Sequence, residues 1–121
     1  MPRNLLRAGT ILILATGLIH VIEAPESFEE ILYKGILFCA NGLGALIAAW
    51  GIHKGGEKWG WTLGLVIAAG SIVGYVASRT VGLPGLPAEP DEWFEPLGMA
   101  SLIVEFLFVA AFMKMITIGK K

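Results

Sequence analysis

Six residues with chemistry to offer lie within or at the edge of apolar sequence: His20, Glu23, Asn41, Tyr75, Arg79 and Glu105. An ionisable side chain inside a membrane-spanning run is a functional candidate by default, because lipid penalises it heavily unless a partner or a purpose keeps it. His20 and Glu23 are three residues apart, so on a helix they share a face. With Glu105 they offer one imidazole nitrogen and two carboxylates, a ligand set compatible with zinc, copper or a similar divalent ion. The H-x-x-E spacing also occurs in carboxylate-bridged metal bundles, but those carry it twice, and this chain has one copy. Arg79 and Glu105 are the two full charges set deepest in apolar sequence, which makes them a candidate ion pair. Asn41, Tyr75, Arg79 and Glu105 then form a polar pocket able to hold a small polar ligand or relay protons. A purely structural role stands beside these readings: polar side chains commonly bridge helices in membrane bundles, with His20 bonded to a nearby carbonyl.

The elements that must position these residues are helices. The chain has 121 residues, 55% of them hydrophobic, and a mean hydropathy of +0.72. The apolar residues fall into four runs over 5–22, 31–52, 61–80 and 97–118. About 20 such residues cross a hydrocarbon core of roughly 30 Å, so each run is long enough to span. None has the polar stripe that a soluble bundle requires. The expectation is an all-α, integral membrane four-helix bundle forming a single membrane domain over 1–121.

Charge is sorted by loop. Arg3, Arg7, Lys54, Lys58, Lys114, Lys120 and Lys121 fall at the termini or the second loop, while eight of the ten acids fall in the loops at 24–30 and 81–96 or beside them. Lys and Arg mark the cytoplasmic side, so both termini are expected inside a cell membrane, with the acidic loops outside. The basic start MPRNLLR precedes a run too long for a signal-peptide core and without a small-x-small cleavage site, so it reads as a retained first span. Pro25 is expected to end the first helix. Trp50, Trp59 and Trp61 suggest an aromatic belt at the inner interface. Trp93 and Phe94 are expected to rest on the outer surface or to cap the bundle.

Span 3 carries Gly60, Gly64, Ser71, Gly74 and Ser78 on one seam, and Gly60/Gly64 and Gly70/Gly74 each read G-x-x-x-G. Such seams let helices approach closely, within one chain or between copies in a homo-oligomer or larger complex. A weak echo joins Pro25–Leu32 to Pro90–Leu97, both fitting Pro-acid-x-aromatic-x-Glu-x-Leu. Cys39 is alone, so it makes no intrachain disulfide and no cysteine cage, and inside a span it reads as a small packing residue. There is no phosphate loop, nucleophile elbow or H-E-x-x-H. A bis-His haem is not expected, because His20 and His53 lie near opposite faces. No basic patch supports nucleic-acid binding.

The stretch SRTVGLPGLP, followed by W-x-EPLG-x-x-SL-x-x-E, and GLIH-x-x-EAPE in the first span resemble a group of small four-span prokaryotic membrane proteins of uncharacterised activity. On that resemblance His20, Glu23, Arg79 and Glu105 match the polar positions of the pattern. The span pattern is also loosely similar to DoxX-like four-helix membrane proteins, some of them redox-associated. The sequence therefore points to a small binding or accessory membrane protein with a pocket for a metal ion or small polar ligand. A proton-coupled transporter, a quinone-linked redox subunit and a structural subunit are the alternatives.

Overall fold

The structure, a computed structural model, describes residues 2–119; Lys120 and Lys121, which the charge argument used, lie outside the described residues. Four long helices make the fold: α1 (Arg3–Glu30), α2 (Leu32–His53), α3 (Lys58–Thr80) and α4 (Pro96–Gly119). Each is long and apolar enough to cross a membrane. They pack as a ring in which α1 touches α2 and α4, and α3 touches the same two from the opposite corner. Large apolar side chains such as Ile11, Leu18, Leu43, Val66, Ile103 and Phe106 face outward and are more than half exposed. Patches of that extent suit lipid rather than water. The chain is a four-span, all-α membrane bundle.

Both described ends of the chain and the Lys54–Glu57 turn lie at one end of the bundle, the termini end. Ile31 and the 81–95 loop lie at the other, the loop end. The core occupies the termini end, where Ile13, Ile52, Trp61 and Phe108 are fully buried. A Cβ placed on Gly60 would come within 2.8 Å of the Gly51 carbonyl carbon, so α2 and α3 meet there backbone to backbone. Trp61 lies against Gly9 and stacks 5.6 Å from Phe108. This corrects the belt assignment for Trp61. Residues i and i+2 of a helix point about 200° apart, so Trp59 and Trp61 cannot share a surface. Trp59 is exposed at the start of α3, 5.8 Å from Trp50, with Lys54 over both rings.

The first hairpin also differs from expectation. α1 continues through Pro25 to Glu30, and the only non-helical residue before α2 is Ile31, in an extended conformation (φ −165°). Proline inside a helix removes one hydrogen bond and costs about 3 kcal/mol. Packing offsets this: Ala24 and Ser27 are buried, and the Phe28 ring lies flat on Gly35 of α2. At 28 residues and about 1.5 Å per residue, α1 is longer than the hydrocarbon core alone requires. The echo between the two loops does not extend to backbone structure. Residues 25–30 belong to α1, whereas 90–92 form a short 3₁₀ helix, η1 (Pro90–Glu92), followed by a turn. Cys39 is exposed, not packed.

Candidate functional site: a polar cavity at the loop end

Between the four helices at the loop end lies a cavity of about 600 Å³. His20, Glu23, Asn41, Tyr75, Arg79 and Glu105 all line it, as the sequence suggested for residues forced to turn away from lipid. The structure gathers them around one space but does not pair them as expected.

Arg79 and Glu105 form no ion pair; the salt bridge among the described residues is Lys34–Glu30, at 2.6 Å. Height explains this. Arg79 is one residue from the loop end of α3, whereas Glu105 is nine residues into α4, so their levels differ by roughly 12 Å at 1.5 Å per residue. The Arg79 guanidinium instead turns toward the loop. Its Nε donates to the Glu92 carbonyl (3.2 Å), its Nη1 to Ser78 Oγ (2.7 Å), and its Cζ lies 3.8 Å from the centre of the Tyr75 ring. The Tyr75 hydroxyl donates to the Trp93 carbonyl, and the two rings meet at a tilt with centres 5.7 Å apart. Arg79 and Tyr75 are therefore clasps for the loop. Trp93 caps the bundle, while Phe94 is 82% exposed.

Glu105 is 1% exposed and accepts one hydrogen bond, from Ser101 Oγ, a turn away on α4. No Lys, Arg or His nitrogen lies within 4 Å of it among the described residues. His20 donates Nδ1–H to the Thr16 carbonyl at 2.9 Å and meets the Phe38 ring at a tilt, 4.8 Å centre to centre. That tautomer leaves Nε2 as an acceptor. Asn41 bridges α2 and α3: its Nδ2 donates to Ser71 Oγ (2.8 Å), and Ser71 spends its own hydrogen on the Ile67 carbonyl (2.7 Å). The relay fixes the amide orientation and leaves Asn41 Oδ1 buried without a partner.

The free polar atoms facing the cavity are thus mostly acceptors. Seven glutamates line it (Glu23, Glu26, Glu30, Glu89, Glu92, Glu95 and Glu105) against Lys34 and Arg79. Lys34 already serves Glu30, and Arg79 serves the loop. No group of three His, Cys, Asp or Glu side chains among the described residues is close enough to hold a metal ion, so His20, Glu23 and Glu105 share the cavity without converging on one point.

Ser101 was missed in the sequence. It lies four residues before Glu105 and so on the same helical face, which is the signal that could have found it. In span 3 the small-residue seam is split. Gly60 and Gly64 are packed against Gly51 and Phe108, but a Cβ on Gly70 or Gly74 would meet nothing within 4 Å. No protein-family model, curated protein or solved structure matches the chain.

Proposed function

We propose that this is a small membrane-embedded binding protein whose cavity, on the extracytoplasmic side, takes a small organic cation, a protonated amine. The observation that carries this is Glu105: a nearly fully buried carboxylate, facing a cavity, with a serine hydroxyl as its neighbour and no cation within 4 Å. A buried carboxylate must be neutralised by a proton or matched by a cation. A primary ammonium supplies both a positive charge and three N–H donors. Those donors suit the surplus of acceptors, from Glu105 and Glu23 to Asn41 Oδ1 and His20 Nε2. The scattered ligand set favours such a molecule over a metal ion, which needs its donors within about 2–2.5 Å of one point.

The test is equilibrium binding of ethylammonium to the purified protein in lipid nanodiscs. Hydrogen bonds to a charged group are worth about 1.5–3 kcal/mol, so Glu105→Gln is expected to weaken binding at least about tenfold. Glu26→Gln, at the exposed rim, is expected to change it by less than about threefold. Unchanged affinity in Glu105→Gln would defeat the proposal.

The same carboxylate supports proton-coupled exchange as a second reading. If Glu105 holds a proton when the cavity is empty, each cation bound displaces about one proton, the elementary step of antiport. A pH indicator in weak buffer would register that release.

A further inference from the structure

The cavity is not closed on the side between α2 and α3. Leu37 and Val66 belong both to its wall and to the lipid-facing surface, where they are 59% and 63% exposed. The two helices touch backbone to backbone at Gly51 and Gly60, through the Ile67 side chain at Gly44, and not at all at Gly70 and Gly74. The Asn41–Ser71 hydrogen bond joins them partway, and the Tyr33 hydroxyl reaches the Pro84 carbonyl of the loop above. Gly74, between these ties, and Gly70, just below the first, present bare backbone to open space. Asn41 lies ten residues from Ile31, about 15 Å down α2, so the gap opens at the depth of acyl chains rather than water.

A ligand reaching the carboxylates by this route carries its charge into the cavity and leaves an apolar part among the lipids. Resting on the amine reading above, we infer that the ligand is an amphiphilic ammonium ion, a protonated amine on a single alkyl chain, entering from the bilayer through the α2–α3 gap. The carboxylates exclude the commoner ammonium of membranes. In a phosphatidylethanolamine headgroup the ammonium is tethered to a phosphate, which would be driven against the cavity's seven glutamates. Gly70 and Gly74 keep the gap open, a use of small residues distinct from the helix contact at Gly60.

The experiment compares ethylammonium with octylammonium in phosphatidylcholine nanodiscs, each corrected for partition into empty discs. The variant carries Gly70→Leu and Gly74→Leu together, and its side chains fill the gap without meeting a neighbour within 4 Å of either Cβ. Octylammonium binding is expected to weaken about tenfold, while ethylammonium, which needs no room for a tail, stays within about twofold. The unchanged small cation also shows that the variant is folded. Octylammonium bound equally well by parent and variant would overturn the inference, as would equal loss of both cations. Loss of both with a fall from two copies per disc to one would mark the glycine face as a contact between copies and overturn it too. Competition by added phosphatidylethanolamine would overturn the exclusion of phosphate. A parent protein that binds ethylammonium but not octylammonium keeps the cavity reading and loses this one; a parent that binds neither loses both.

Discussion

The two ends of the bundle use glycine in opposite ways. At the termini end the helix glycines are covered: Trp61 covers Gly9, Phe108 covers Gly64, and Gly51 meets Gly60. At the loop end Gly70 and Gly74 face nothing, and the space between helices is a cavity edged by carboxylates. In lipid there is little hydrophobic drive between helices, so association comes from close packing and from polar contacts. This protein separates the two. Packing holds one end firmly, and a few polar ties (Asn41 to Ser71, Tyr33 to Pro84, Tyr75 to Trp93, Arg79 to Glu92) hold the other while leaving it hollow. Stability and binding can then be altered independently.

The largest effect is expected at the packed end. Phe108→Ala removes a fully buried ring lodged against Gly64 and Trp61. The cavity term alone, about 24 cal/mol per Å3 of space left, is on the order of 2–3 kcal/mol for a lost ring. Unfolding of the purified protein in mixed micelles measures it, and ethylammonium binding by the folded fraction should be retained. A loss of binding without a loss of stability would break the division between the ends.

A paired glycine test is the next in size. Gly60→Ala places a methyl group 2.8 Å from backbone atoms of Gly51 and Ile52, which cannot rotate away. Overpacking of this kind costs about 1–3 kcal/mol. Gly70→Ala meets nothing and removes a flexible residue from a helix, so stability should stay level or rise by up to about 1 kcal/mol. Equal destabilisation by the two would mean that Gly70 is packed against something in the membrane, a second copy above all.

How much of this was legible in the sequence depends on the range of the physics. Four spans follow from the lengths of the apolar runs alone. That the polar residues share one region follows from lipid driving them inward together. What failed needed heights and angles. Arg79 and Glu105 looked like partners because both are charged and deep in sequence, but counting each from the loop end of its own helix separates them by about two turns. The position of Trp61 at the edge of a run suggests an interface, but its angle to Trp59 turns it inward. Pro25 lies within a helix because Phe28 and Gly35 fit together across the hairpin, a tertiary contact no local rule contains. The cavity's open side is a gap between α2 and α3, and nothing in a linear pattern of glycines distinguishes a filled seam from an open one.

The smallest expected effect tests the ties of the loop end through pH. Glu92 sits in the loop outside the spans, where a hydrogen bond shared with the Glu89 carboxyl, then partial burial and the charge of Glu89, raise its pKa above the ordinary carboxylate value, with Arg79 opposing. A raised value means that the folded loop holds its proton to higher pH than the unfolded chain does. The stabilisation is therefore complete below the ordinary glutamate range, near pH 4.5, and is lost as pH rises through the raised value. Above it two carboxylates repel across one turn of η1, while the backbone carbonyl of Glu92 still accepts from Arg79. Hydrogen exchange of the 81–95 amides, corrected for the intrinsic rate at each pH, should show protection falling as pH rises from 4 to 7. Glu92→Gln keeps a donor toward Glu89 at every pH and should flatten the profile. Protection that instead increases with pH would mean that the two carboxyls do not share a proton, and would leave Arg79 and Tyr75 as the clasps that hold the loop over the cavity.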